Sequence, residues 1–102
     1  MKKSQLKPAR KWLNKQLRNK TLKILFEEER ARTDIARMIR AARERAGLSQ
    51  RELAAKAKTT QAVVARLELG SDRRMPSLSL ISRLLSATGA TLELSCKFSK
   101  VA

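Results

Sequence analysis

Leu48-Ser49-Gln50-Arg51-Glu52-Leu53-Ala54-Ala55-Lys56-Ala57-Lys58-Thr59-Thr60-Gln61-Ala62-Val63-Val64-Ala65-Arg66-Leu67-Glu68-Leu69-Gly70 is the stretch that decides the fold. It reads as two short helices with almost nothing between them. Ser49-Gln50-Arg51-Glu52 is a capping box: the Ser49 hydroxyl takes one free backbone N–H at a helix start, and Glu52 reaches back to another. Leu53, Ala54 and Ala57 supply the apolar face of this first helix, which ends near Ala57. Lys58-Thr59 has room only for a tight turn. Thr60 caps the next helix, Val64 and Leu67 point inward, and Gly70 stops it.

Two short helices joined in this way are a helix-turn-helix candidate. The crossing needs a small residue where the helices touch, and Ala54 provides it. The second helix needs a polar outward face at its start, and Thr60, Gln61, Ala62 and Arg66 provide that. Gln can bond adenine in a bidentate way, Arg can bond guanine, and Ala can touch the thymine methyl.

Downstream, a loop from Ser71 to Pro76 carries Arg73 and Arg74. Ser77 caps a further helix with Leu80, Ile81, Leu84 and Leu85 inward, and Thr88-Gly89 ends it. The period then changes: Leu92, Leu94, Cys96 and Phe98 alternate with Thr91, Glu93, Ser95 and Lys97, as in a half-buried strand. A lone strand leaves its backbone groups unpaired. The simplest partner is the same strand of a second copy, so the sequence predicts a homodimer with Leu92, Leu94, Cys96 and Phe98 at its contact. Cys96 reads as a buried small hydrophobe.

Upstream, Gly47 sits where a long helix is capped. Thr21 is a candidate start for that helix, with Glu27, Glu28 and Glu29 near its beginning and Arg37, Arg40, Arg43 and Arg45 near its end, an order that suits the helix dipole. Ile35, Met38, Ile39 and Ala42 form its buried stripe. Arg37, Arg40 and Arg43 read as a solvated face. Thr33 or Asp34 can also cap a second start, so a break near Arg32 stays open.

The composition sets the outer bounds. The chain has 102 residues, 24 Lys and Arg against 9 Asp and Glu, a formal charge of +15, no His, no Tyr and one Cys. One cysteine forms no disulfide framework within the chain. Structural zinc needs about four Cys or His ligands, and acid–base catalysis most often uses His. The expectation is therefore no cofactor, no metal, no small-molecule substrate and no enzyme. No apolar run reaches the ~18 residues of a membrane helix. Met1-Lys2-Lys3 is followed by no apolar stretch, which points to the cytoplasm.

Residues 1–20 carry eight cations and no acid, more than half of the net charge. Pro8 suits the first turn of a helix there. Leu6, Leu13, Leu17, Ile24 and Leu25 recur at roughly helical spacing with Trp12 beside them. Three readings stay open for this arm: a solvated tail, an amphipathic helix that folds on a partner, and a basic helix on anionic lipid.

Leu48-Ser49-Gln50-Arg51-Glu52-Leu53-Ala54, Thr59-Thr60-Gln61, Ala65-Arg66-Leu67-Glu68 and Pro76-Ser77-Leu78 together resemble the lambda-repressor-like (Xre) DNA-binding family, over about residues 35–88. By that resemblance Gln50 clamps a phosphate at the start of the first motif helix, and Thr60, Gln61, Ala62 and Arg66 face DNA from the recognition helix; Ser49 is a further candidate DNA contact. Arg73 and Arg74 approach the backbone, and Glu68 is structural. Lys58 departs from the pattern, because the family usually has Gly there. A left-handed non-glycine costs up to ~1–2 kcal/mol.

The flanks resemble more particular relatives. Leu22-Lys23-Ile24-Leu25-Phe26-Glu27-Glu28-Glu29, leading straight into the motif, is similar to HigA-type antitoxins that pair with RelE-like ribonuclease toxins. Ala87-Thr88-Gly89-Ala90-Thr91-Leu92-Glu93-Leu94 is similar to the strand of HipB-type antitoxins, which pairs across a dimer. These resemblances make Trp12, Leu13, Leu17, Ile24, Leu25, Glu28 and Glu29 candidate toxin contacts.

The expectation is a mainly α chain: a lambda-repressor-like helix-turn-helix bundle with an N-terminal helical arm and one C-terminal β-strand that pairs across a dimer. Residues 1–33 are the arm, 34–89 the DNA-binding domain and 90–102 the dimerisation strand and tail. The expected function is an antitoxin that represses its own operon by binding double-stranded DNA at an inverted-repeat operator, and that neutralises a RelE-like (HigB-type) toxin encoded nearby. The alternatives are a stand-alone Xre-family repressor with a DNA-contacting arm, and a HipB-type antitoxin of a kinase toxin.

Overall fold

The computed structural model describes residues 3–70 and 73–98; the side chains are described from residue 9 onward. Four helices follow one another: α1 (Lys3–Arg45), α2 (Gln50–Lys56), α3 (Gln61–Leu69) and α4 (Leu78–Ala87). The chain divides into two units, Met1–Thr33 and Asp34–Ala102.

The first unit is helical from Lys3. Thr21 is therefore not a helix start. It lies mid-helix, and its hydroxyl donates to the Leu17 carbonyl at 2.9 Å, one turn back. Pro8 sits beyond the first turn, where its ring removes one backbone donor. Helical continuity through Arg32–Asp34 also settles the open question of a break: there is none.

The second unit holds the core. Ile39, Leu53, Ala54, Ala57, Val64 and Leu84 form one buried cluster, with Ile35, Leu48, Leu67, Leu80 and Ala87 packed against it. Each fully buried aliphatic side chain contributes about 1.5–3 kcal/mol. Of the stripe expected on α1, Ile39 is buried, whereas Ile35, Met38 and Ala42 are half-buried; Ala36 is buried as well.

Local chemistry sets every helix boundary in this unit. Ser49, Thr60 and Ser77 are the N-caps, their hydroxyl oxygens accepting from the backbone N–H of Glu52, Val63 and Leu80 at 3.0, 3.3 and 3.1 Å. Three helix ends close by the same lock, a pair of reversed backbone bonds around a left-handed residue. After α1 it is Leu48 N–Arg43 O and Gly47 N–Glu44 O; after α2, Thr59 N–Ala54 O and Lys58 N–Ala55 O; after α4, Ala90 N–Leu85 O and Gly89 N–Ser86 O. The left-handed residues are Gly47, Lys58 and Gly89, with φ of 70°, 57° and 85°.

Among the described residues there is no β-strand. Residues 90–98 have no regular secondary structure in the single chain. Leu92 is half-buried; Leu94, Cys96 and Phe98 are exposed, so Cys96 is not the buried hydrophobe expected from its alternation.

Candidate nucleic-acid interface

α2 and α3 form the motif expected from the sequence. Ala54 and Ala57 are each 3% exposed, small enough for α3 to lie close across α2. The inner side of α3 carries Val64, fully buried, and Leu67, half-buried. At about 100° per residue, Ala62 and Arg66 fall on the opposite arc, and Gln61 stands at the flank, about 60° around the helix from Val64. All three are exposed. Leu69 shares that arc at the last turn and is 77% exposed. It was missed because its apolar type suggests burial.

Two candidate residues serve the fold first. The Thr60 oxygen accepts from Val63, and the Ser49 oxygen from Glu52, so one acceptor site of each hydroxyl serves the cap while its O–H can still donate outward. The Ser49 backbone N–H donates to the Glu52 carboxylate at 3.0 Å. That bond and the Ser49 side chain hold the Glu52 carboxyl below the usual glutamate range. Gln50 is half-buried, and its amide nitrogen stands 3.4 Å from Glu68. Its second N–H and its carbonyl oxygen remain available. Arg73 and Arg74 are exposed on the α3–α4 loop.

Behind this face lies an ion pair. Arg43 donates to both oxygens of Glu68, at 2.7 and 2.8 Å, and to the Leu48 carbonyl at 2.9 Å. Arg43 is thus no part of a solvated face: its side chain is 14% exposed and that of Glu68 is 4% exposed. The Glu68 hydrogen bonds raise the Arg43 pKa above its ordinary value against the opposing effect of burial. Together Arg43, Glu68 and Gln50 tie the end of α1, the start of α2 and the end of α3. The other two arginines of that face, Arg37 and Arg40, are exposed. A shallow basic groove that sequence reading did not single out lies between Lys56 and Lys58 on one side and Arg83 on the other.

The remaining candidates behave differently. In the first unit Trp12, Leu13, Leu17, Ile24 and Leu25 are all more than half exposed. They do not form one stripe. Leu13, Leu17 and Ile24 fall within about 40° of one another around the helix, whereas Trp12 and Leu25 lie roughly 100° to either side. Leu25 instead joins Leu22 and Phe26 in a second ridge, where Phe26 is 73% exposed. Glu28 borders the first ridge and Glu29 the second. Glu29 pairs with Arg32 at 3.2 Å.

A short-turn helix pair with a buried inner side and a polar outer arc defines a DNA-binding class of protein. A family model described as helix-turn-helix matches residues 39–94, more than half of the chain. The chain belongs to this helix-turn-helix family, the lambda-repressor-like (Xre) kind of DNA-binding domain. No curated protein and no solved structure matches the chain. No described helix is long and apolar enough to cross a membrane.

Proposed function

We propose that the chain is a dimeric operator-binding repressor that also holds a protein toxin, as the HigA-type resemblance implies. In this reading Ser49, Gln50, Arg73 and Arg74 hold DNA phosphates, and Thr60, Gln61, Ala62 and Arg66 face the bases. Leu92, Leu94, Cys96 and Phe98 join two copies. A two-fold dimer presents two copies of α3 to successive major grooves about 34 Å apart, which calls for an inverted repeat.

One observation carries the toxin-binding part: the exposed apolar surface of residues 12–26. Leu13, Leu17 and Ile24 on one side and Leu22, Leu25 and Phe26 on the other are all more than half exposed. Phosphate contact needs no such surface, whereas docking into a partner groove does. A RelE-like toxin is basic by family resemblance, so Glu28 and Glu29 supply the attractive charge, and Trp12 is a natural anchor. The test is a pair of deletions. Removing residues 1–11 is expected to leave toxin neutralisation intact. Removing 1–30 is expected to abolish it while a folded, operator-binding dimer persists. Cells still protected by the 1–30 deletion would overturn this placement of the contact.

A second reading, a stand-alone repressor with a DNA-contacting arm, is favoured by Arg10, Lys11, Lys15, Arg18, Lys20 and Lys23, all exposed. Cations of this kind bind DNA with a steep salt dependence. A large loss of operator affinity and a shallower salt slope on deleting residues 1–20 would support it over the first.

A further inference from the structure

We propose that residues 92–98 of two copies pair antiparallel in one register centred on Ser95, with Glu93 facing the partner's Lys97 and Leu94 facing the partner's Cys96. This rests on the reading of the C-terminal segment as the dimer contact.

The last lock of the second unit is Ala90 N–Leu85 O, and the described residues beyond it, up to Phe98, have no regular structure. Leu94 is 72% and Phe98 92% exposed, and Cys96 is exposed beside them. They alternate strictly with polar residues, so in an extended strand all three share one face with Leu92. A second copy of the same segment is the occupant with matching pattern and charge.

Two-fold symmetry restricts how the copies can meet: if residue i faces residue j, then j faces i. A pairing centred between two residues sets the apolar face of one strand against the polar face of the other. That leaves registers centred on single residues. Centred on Leu94, Glu93 meets Ser95 and Lys97 meets Thr91, so neither charge faces its opposite. Centred on Cys96, Lys97 meets Ser95. Centred on Ser95, Glu93 meets Lys97 twice over, Leu94 meets Cys96, and Leu92 meets Phe98. Only this register sets every apolar residue against an apolar one and each charge against its opposite, and such directly facing pairs are the unit of sheet stabilisation.

A cleft stands just before the segment. Ala42, Ala46, Thr88, Gly89 and Ala90, with Arg45, line a cleft of about 300 Å³ immediately ahead of the segment. Most of these side chains are small. This register sets the partner's Phe98 opposite Leu92, two residues beyond the Ala90 edge of this cleft.

The native cysteine makes the register directly testable. Facing residues in an antiparallel pair have Cα atoms about 4.5–5.5 Å apart, within disulfide range, whereas diagonal neighbours at about 7–8 Å are outside it. In the full chain, Leu94→Cys is expected to form two symmetric disulfides with the partner's Cys96 and to run at twice the mass on a non-reducing gel. The unaltered chain, Leu92→Cys and Leu94→Cys/Cys96→Ser are expected to stay unlinked. Linking of Leu92→Cys or of the double variant would place the centre at Leu94. Linking of the unaltered chain would place it at Cys96. Either result overturns the proposal. As an independent check, Glu93→Lys is expected to weaken the dimer about tenfold, and Glu93→Lys/Lys97→Glu to restore it to within about threefold. Failure of that restoration also overturns it. Sedimentation separates the two levels: a monomer refutes the dimer reading itself, and a dimer without the Leu94→Cys link refutes the register alone.

Discussion

Arg43 on α1 holds Glu68 on α3 through two hydrogen bonds of 2.7 and 2.8 Å, and its remaining nitrogen donates to the Leu48 carbonyl. One guanidinium therefore joins elements that the chain separates by 25 residues. Glu68 is almost wholly buried, so Arg43→Ala leaves a desolvated carboxylate without its cation. The expected cost is about 3 kcal/mol of folding stability. Replacing both partners, Arg43→Met with Glu68→Leu, is expected to recover more than half of that, because no charge is left stranded. Urea denaturation of the unaltered chain and the two variants checks the ordering. The raised Arg43 pKa adds no pH dependence in the accessible range: stability from a raised basic group is full below its unfolded value and is lost only above it.

Lys58 occupies the position that Gly47 and Gly89 occupy in the other two helix-end locks, at φ 57°. Its Cβ is crowded there in a way that glycine avoids. Lys58→Gly is expected to stabilise the second unit by about 1 kcal/mol, the relief of left-handed strain less the added entropy of glycine in the unfolded chain. A rise in the thermal midpoint, with the helical circular dichroism unchanged, is the expected readout.

The capping box gives an acid-side prediction. The Glu52 pKa is lowered in the folded state, chiefly by the Ser49 backbone N–H and then by the Ser49 side chain. A lowered carboxylate contributes stability that is full above its unfolded value and is lost as pH falls through the folded one. Acid titration of the unaltered chain is therefore expected to weaken the start of α2 below the ordinary glutamate range. Glu52→Gln is expected to remove that part of the pH dependence. Ser49→Ala is expected to cost about 1 kcal/mol at neutral pH. Stability curves against pH for the three proteins give the comparison.

Features set by a few neighbouring residues were legible in the sequence. The caps at Ser49, Thr60 and Ser77 and the stops at Gly47, Gly70 and Gly89 follow from side-chain reach and backbone freedom alone. Arg43 was misread as solvated because nothing near it in sequence announces Glu68 across the fold. In the first unit, the roughly helical spacing of the apolar residues merges positions about 100° apart, as Trp12 and Leu25 are from Leu13, Leu17 and Ile24. The strand expected over Thr91–Phe98 needs hydrogen bonds from another strand, which a single chain does not supply.

Residues proposed to read bases and residues proposed to hold phosphates are expected to respond differently to substitution. Gln61 and Arg66 are both exposed on α3, one at its first position and one well along it. Substituting either by Ala is expected to cost about 1–3 kcal/mol of operator affinity and to relax preference at one base position. Arg73→Ala removes a charge from a loop, and phosphate contacts carry no sequence information. It is expected to weaken operator and random DNA alike and to reduce the salt slope by about one. Gln50→Ala needs a stability control, because the Gln50 amide also stands 3.4 Å from Glu68. With folding intact, it too is expected to weaken all sequences about equally. Binding titrations on an operator and on single-base variants, at two salt concentrations, distinguish the two classes. If Gln61→Ala and Arg66→Ala both left affinity and base preference unchanged, α3 would not be the helix that reads the DNA.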